Sequence, residues 1–357
     1  MIGQDTGAAR IAFVETRLSP RDGSLYALRL ASGLAARKYK TAIFCGANFL
    51  EIDTRALGLE VFAADQRVDG PPPDPLWLRE KLDQWRPNLV HLCATDAPAR
   101  LARAARSRGK PVVATAHEML RAAPRGLHGG RPLVSFIAPT QQIRQNLVNV
   151  GRASKDSVCC IPYGIPEVEG RGPAAELRAP LIAVVGEALE RDYEAIFEAA
   201  AILTKTRPGI QFALTSLSAD RPAVRKMVRV RDLAGSVIFA GFAGSFFRVL
   251  DVADVCVAAE RGQTAGLPLI EAMARAVTPV ASNGPAHTDL IAHDVNGMLY
   301  DPSAPKELAG VLERVLTENT TARRLAEAAR ETVRGLFPFN DFLDETEKLY
   351  GALLNAR

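Results

Sequence analysis

The chain alternates short β-branched runs with Ala-, Leu- and Arg-rich segments whose apolar residues fall three and four apart, and it does so in two successive stretches. In the first stretch the runs are IAFVE (11–15), TAIFC (41–45), LVHLC (89–93), VVAT (112–115), VSFIA (134–138) and VCCIP (158–162). Helix-like segments lie between them: LYALRLASGLAAR ends before Lys38, and APARLARAARSRG ends at Gly109, a C-cap candidate. Runs that are apolar on both faces and alternate with helices predict a parallel sheet covered on two sides.

Residues 163–180, YGIPEVEGRGPAAELRAP, are rich in Gly, Pro and charge and sustain neither period, which marks a domain junction. The alternation then resumes with LIAVVG (181–186), a helix through Ile202, QFALTS (211–216), a basic helix, SVIFAG (236–241), ADVCVAA (253–259), VTPVAS (277–282) and GMLY (297–300). Helices are expected near 304–318, 320–334 and 339–355, with Pro338 breaking the last pair. The length, 357 residues, suits about two domains of 100 to 200 residues each. The expected fold class is α/β: two Rossmann-like doubly wound domains facing each other across a cleft, with C-terminal helices closing the chain. The boundaries read as 1–163, a linker at 164–180, 181–335, and a helix at 336–357 packing back on the first domain. Open α/β sheets bind ligands beyond the carboxyl ends of their strands, but the fold alone names no chemistry.

Apolar residues at 48 % and charged residues at 24 % exclude a disordered tail or a coiled-coil rod. No stretch reaches the roughly 18 apolar residues of a membrane span, and the first fifteen residues lack a basic start with an apolar core, so a cytoplasmic protein is expected. The five cysteines are scattered without CxxC spacing and read as buried, reduced thiols. No Asp-x-Asp or His/Cys cluster offers a metal site. The net charge of +4 is mildly basic. Arg100, Arg103 and Arg106, and again Arg221, Arg225 and Arg229, recur at helical spacing. Each set reads first as a solvated helix face and second as a peripheral contact with an anionic membrane surface. No aromatic residues interleave with these charges, so nucleic acid is not an expected partner.

The segment most informative about chemistry is ERGQTAGLPLIEAM, residues 260–273. After a buried strand, Gly262 and Gly266 permit a tight turn, and a helix starting near Leu267 would present its first N–H groups to an anion. Glu271 lies one turn into that helix, where a carboxylate can accept two hydroxyls of a ribose or sugar. A phosphate-binding turn and an ordinary strand-to-helix turn both fit this pattern.

The segment resembles the donor signature of the retaining GT-B glycosyltransferases of family four (glycosyl transferases group 1), which read Glu, seven residues, Glu around Phe-Gly-Leu-Pro with a trailing Glu-Ala-Met. Gly266, Leu267, Pro268, Glu271, Ala272 and Met273 match; Gln263 stands at the first Glu and Ala265 at the Phe. SFIAPTQQIRQNLVNVG followed by VCCIPYGIP resembles the family's crossing between domains, with Gly164 in its Asn-Gly position. LIAVVGEALERDYEAIFEAA resembles the opening of the donor domain, with Glu187 where the family has Arg and Arg191 where it has Lys. Gly23 in SPRDGSLYALRLASGLA falls near the family's glycine pair, and Asp22 or Ser24 either hydrogen-bonds there or caps the first helix. His91 is retained from a histidine pair whose second member is Cys93, and His117 matches the histidine beside the transferred sugar. In the tail, Asp289 takes the usual Glu position or caps a helix, and Asn283 and His287 precede it.

The resemblance implies a glycosyltransferase that moves a sugar from a nucleotide-sugar donor to a glycan or lipid-linked acceptor, with retention and without a metal or other cofactor. Gly266 and Leu267 amides with Arg191 would hold the diphosphate, flanked by Gly23 and opposed by Glu187. Glu271 would take the ribose, Gln263 a sugar hydroxyl, and His117 the sugar near the reacting carbon. The expected place is the cytoplasm or the inner face of the membrane. The alternative keeps the fold without turnover: Glu187, Gln263 and Cys93 replace three family groups, the pattern of a carbohydrate-binding or partner protein. An epimerase or a phosphorylase-like enzyme fits the trailing Glu-Ala-Met poorly, and no GxGxxG opens a helix as a nicotinamide dehydrogenase requires.

Overall fold

The structure is a computed structural model and describes residues 9–19, 21–48, 54–65, 73–93, 99–106, 109–123, 134–168, 179–240, 245–261 and 264–355. It divides into two compact units, one of residues 1–18, 23–164 and 339–357 and one of residues 19–22 and 165–338.

The first unit runs β1 (Arg10–Glu15), α1 (Asp22–Ala36), β2 (Lys40–Cys45), β3 (Glu60–Ala63), α2 (Pro75–Trp85), β4 (Leu89–Leu92), α3 (Ala99–Arg106), β5 (Val112–Thr115), β6 (Val134–Ala138), α4 (Gln141–Asn149) and β7 (Val158–Cys160). The strands form one sheet in the order β3-β2-β1-β4-β5-β6-β7, every pairing parallel. β4 and β5 are buried throughout, as strands with helices on both faces must be. β3 and α2 are absent from the sequence reading. β3, EVFA, is a four-residue edge strand with exposed ends, so neither a long apolar run nor a clean alternation announces it. α2 carries its own start signal instead: Asp74 accepts from the Leu76 amide at 2.7 Å, and Pro75 occupies the first turn.

The second unit runs β8 (Leu181–Val185), α5 (Tyr193–Thr206), β9 (Gln211–Leu214), α6 (Pro222–Val230), β10 (Val237–Phe239), α7 (Ser245–Val252), β11 (Val255–Ala258), α8 (Leu267–Ala274), β12 (Thr278–Ser282), α9 (Pro285–Leu290), β13 (Met298–Tyr300), α10 (Pro305–Thr317) and α11 (Asn319–Leu336). Its sheet order is β10-β9-β8-β11-β12-β13, again parallel. Both sheets thus reverse direction of growth beside their first strand, between β1 and β4 and between β8 and β11. That switch point is where an open α/β sheet leaves a crevice at its carboxyl edge.

The last helix, α12 (Phe339–Asn355), is part of the first unit. Two glycines make room for it. A Cβ on Gly33 would stand 2.7 Å from Leu343 Cδ2, and one on Gly164 would stand 2.5 Å from Phe342 Cβ. Phe342, Leu343 and Tyr350 are buried in that seat. Gly164, read from sequence as a junction glycine, is therefore a packing glycine. Arg37, just past the end of α1, adds ion pairs to Asp344, at 2.5 Å, and Glu347. Of the five thiols, Cys45, Cys93 and Cys256 are buried, whereas Cys159 and Cys160 are half-buried, which corrects the expectation for that pair. Among the described residues no helix is long and apolar enough to cross a membrane.

Candidate functional site

At the first unit's switch point, β1 ends in Glu15, whose side chain is buried and accepts from the Thr16 amide at 2.7 Å and the Thr16 hydroxyl at 3.1 Å. Gly23, in the first turn of α1, lies directly against it. A Cβ there would stand 2.6 Å from Glu15 Oε2, 2.7 Å from the Cys93 carbonyl oxygen and 3.5 Å from His117 Cδ2. Gly23, Cys93 and His117 thus converge, with Glu15 as a member that the sequence reading treated only as a strand end.

His117, beyond β5, is buried and shares a 2.7 Å hydrogen bond between Nδ1 and the Tyr163 hydroxyl. Its ring stacks on Tyr163 and meets Tyr26 edge-on, with centroids 5.0 Å apart in the second case. His91 has a different role. Its Nδ1 lies 2.5 Å from the Tyr350 hydroxyl and its Nε2 2.7 Å from Thr115 Oγ1, so both nitrogens are consumed by the core. Burial, reinforced by His117, holds its pKa down at about 3. A neutral imidazole, with one N–H donor and one acceptor nitrogen, suits the two hydroxyl partners.

In the second unit, β8 ends at Gly186, with φ of +88°, and β11 is followed by Glu260. The Glu260 carboxylate rests on the glycine so closely that a Cβ would stand 1.8 Å from Oε2. Its other oxygen, Oε1, accepts from Thr264 Oγ1 at 3.4 Å and faces His287 Nε2 at 3.5 Å. His287 Nδ1 lies 3.0 Å from Ser282 Oγ and 3.1 Å from Ser282 O.

Gly266 caps α8 in the left-handed region, φ +73°, and a Cβ on it would meet nothing within 4 Å. The turn and the helix start at Leu267 therefore agree with the sequence reading. The amides need a correction. Gly266 N–H donates to Thr264 Oγ1 at 3.2 Å, so it is engaged by the chain itself. Pro268 has no N–H, which leaves Leu267 and Leu269 as the first-turn amides without an intrahelical acceptor. Glu271 is fully buried and accepts from Arg275 Nη1 at 2.6 Å, while Arg275 Nε reaches Asp251 at 3.1 Å. A ribose hydroxyl would share that carboxylate with Arg275. Gln263 lies outside the described residues, as does Gly262.

Glu187 is half-buried, and Arg191 is largely exposed with only a 3.8 Å approach to Asp192. Arg261 is more firmly held, its Nε 2.7 Å from Asp192 Oδ1. The loops after β8 and β11 carry the carboxylates Glu187, Glu190, Asp192 and Glu260 and the cations Arg191 and Arg261. Asp289 sits in the last turn of α9, whose N-cap is Gly284, so it does not cap the start of that helix. Asn283 is exposed. Arg103, Arg225 and Arg229 are exposed, and Arg225 is paired with Asp220. The side chain of Arg100 lies outside the described residues.

Two family models match this chain. Glycosyltransferase Family 4 matches residues 23–168 and Glycosyl transferases group 1 matches residues 172–332. Alpha-D-kanosaminyltransferase from Streptomyces kanamyceticus is 28 % identical over 153 residues, which cover 42 % of this chain and 40 % of that protein, so the match spans less than half of the relative's length. Among solved structures, sucrose-phosphate synthase from Thermosynechococcus elongatus superposes with a TM-score of 0.74 at 18 % identity, covering 98 % of this chain and 100 % of that one. HepE from Anabaena, in complex with UDP and glucose, gives 0.72 at 16 % identity, covering 96 % and 99 %. At such identities the structural likeness carries the fold, two Rossmann-like α/β units of the GT-B kind, and the family models carry the kinship. Matched in succession along its two units, the chain belongs to the GT-B glycosyltransferases of the family-four, group 1 type.

Proposed function

We propose that the protein transfers a sugar from a nucleotide-sugar donor to a carbohydrate or lipid-linked acceptor, with retention of anomeric configuration and without a metal ion. The observation that carries this reading is the open left-handed Gly266 turn at the start of α8. Leu267 and Leu269 amides, at the positive end of that helix, meet the departing diphosphate, and Arg191 supplies a cationic contact. Glu271 takes the ribose alongside Arg275, and His117, fixed by Tyr163, contacts the sugar near the reacting carbon. Gln263 keeps the hydrogen-bonding capacity of the carboxylate it replaces, without its charge. Exclusion of water from the bound donor protects it from hydrolysis in place of transfer. Family kinship and the ligands named for HepE, UDP and glucose, support a donor of this class.

The test is titration of the purified chain with uridine, guanosine and adenosine diphosphates and their common sugar forms. Binding of one series below millimolar concentration is expected; no binding at millimolar ligand ends the reading. A second reading, binding without turnover, is favoured by the anion at Glu187, beside Gly186 in the chain, and by the Glu260 carboxylate lying against that glycine. Release of nucleoside diphosphate from the donor that binds, compared with a Glu271→Ala control, separates the two.

A further inference from the structure

Glu260 Oε2 is buried and has no hydrogen-bond partner among the described residues. The side chain is 5 % exposed and stands at the β8/β11 switch point, where the fold places its ligand crevice. Its other oxygen is fixed by Thr264, whose hydroxyl also accepts from the Gly266 amide, so the carboxylate is tied to the very turn that starts α8. Oε2 lies against Gly186, where a Cβ would stand 1.8 Å from it.

An oriented carboxylate with a spare oxygen is an acceptor for neutral donors. A hydroxyl entering here gains a charge-assisted hydrogen bond, whereas a phosphate meets a like charge. Arg261, the nearest cation on the same loop, is engaged by Asp192. We infer that Glu260 is the specificity-determining carboxylate of the second unit, reading a vicinal diol of the bound nucleotide sugar through Oε2 while the diphosphate lies toward the α8 amides. This rests on the donor reading above. Glu260 is then a second acid, beside Glu271, that the donor's hydroxyls meet.

The experiment is calorimetric titration of the full chain and of Glu260→Gln with UDP-glucose, UDP and 2′-deoxy-UDP, or the guanosine series where the panel favours it. Glu260→Gln is expected to lower the affinity for UDP-glucose at least tenfold relative to UDP when the diol is the hexosyl one. It lowers UDP at least tenfold relative to 2′-deoxy-UDP when the diol is the ribose. Thr264→Val, which keeps the carboxylate but releases Oε1, is expected to shift the same ratio about threefold. Equal loss across all three probes, no change, or a uniform gain from removing an anion overturns the inference and leaves the donor reading standing. Failure of the wild type to bind any probe overturns both. A melting temperature for each variant close to that of the wild type shows that the ratio reports recognition.

Discussion

The two switch points put a buried carboxylate against a glycine and bring a histidine in from the strand two places along, yet they are built in opposite ways. In the first unit the acid is on the first strand, Glu15 of β1, and the glycine, Gly23, is helical; Tyr163 and Tyr26 box in the histidine. In the second unit the acid follows the fourth strand and the glycine follows the first; the histidine faces the acid and is held by Ser282. The same winding delivers the same residue types to the same edge. What differs is the material that holds them: aromatic packing in one unit, polar contacts in the other. Packing fixes a ring in one pose, whereas a polar corner with a spare oxygen can exchange partners.

The steric difference is the largest lever on this contrast. Gly186→Ala places a methyl 1.8 Å from Glu260 Oε2 on a left-handed backbone, and about 3 kcal/mol of destabilisation is expected. The obstacle is a side chain, so Gly186→Ala/Glu260→Ala should recover all but about 1 kcal/mol, the cost of the left-handed conformation. Gly23→Ala meets the Cys93 carbonyl at 2.7 Å as well as Glu15, and Glu15→Ala should fail to rescue it. Hydrogen exchange, resolved by unit, checks which half loosens in each variant. Equal rescue at both glycines would dissolve the distinction.

The histidines give the next test. His91 is held neutral in the fold at a pKa of about 3, far below the 6.5 of an unfolded histidine. The unfolded chain therefore binds the extra proton first, so this contribution to stability is complete above pH 6.5 and is lost as pH falls from 6.5 toward 3. The expected slope is about 1.4 kcal/mol per pH unit over that window. Tyr350→Phe leaves His91 Nδ1 without its hydroxyl and should cost about 1–3 kcal/mol at neutral pH. Denaturation of wild type, Tyr350→Phe and His91→Gln between pH 4 and 7.5 checks both, with His91→Gln showing a flatter slope. An unchanged slope would show that His91 is not the group whose proton the fold excludes.

The winding was legible because each β-branched run and each Ala- and Leu-rich helix repeats a period that burial alone imposes. Of the candidate site, the turn into α8 was legible because a backbone demand leaves a residue signature at Gly266 and Leu267. Spacing placed Glu271 one turn into α8, and its pairing with Arg275, four residues on, follows from helix geometry. Glu15 and Glu260 carried a signal that went unused: a carboxylate at the carboxyl end of an otherwise apolar strand run, IAFVE and VCVAAE. Counting by motif singled out Gln263, which lies outside the described residues, while the switch point is a property of strand order that a motif does not record. Contacts such as Glu260 on Gly186 link residues 74 positions apart and leave no local trace.

The smallest effect concerns α12, the helix that supplies Tyr350 to the first unit and has no counterpart in the second. Its inner face is anchored by Phe342, Leu343 and Tyr350, and its outer face by Arg37 with Asp344 and Glu347. Ion pairs at a surface gain little over hydration and are screened by salt, whereas buried rings lose their whole seat when truncated. Arg37→Ala should therefore cost about 0.5 kcal/mol, less at high ionic strength, and leave the pH slope of His91 untouched. Urea denaturation at low salt and again at molar salt measures both. A cost that matched Tyr350→Phe and persisted in salt would mean that the outer ion pairs, not the buried hydrogen bond of Tyr350 with His91, seat α12, and the first unit's histidine frame would then depend on polar contacts, as the second unit's does.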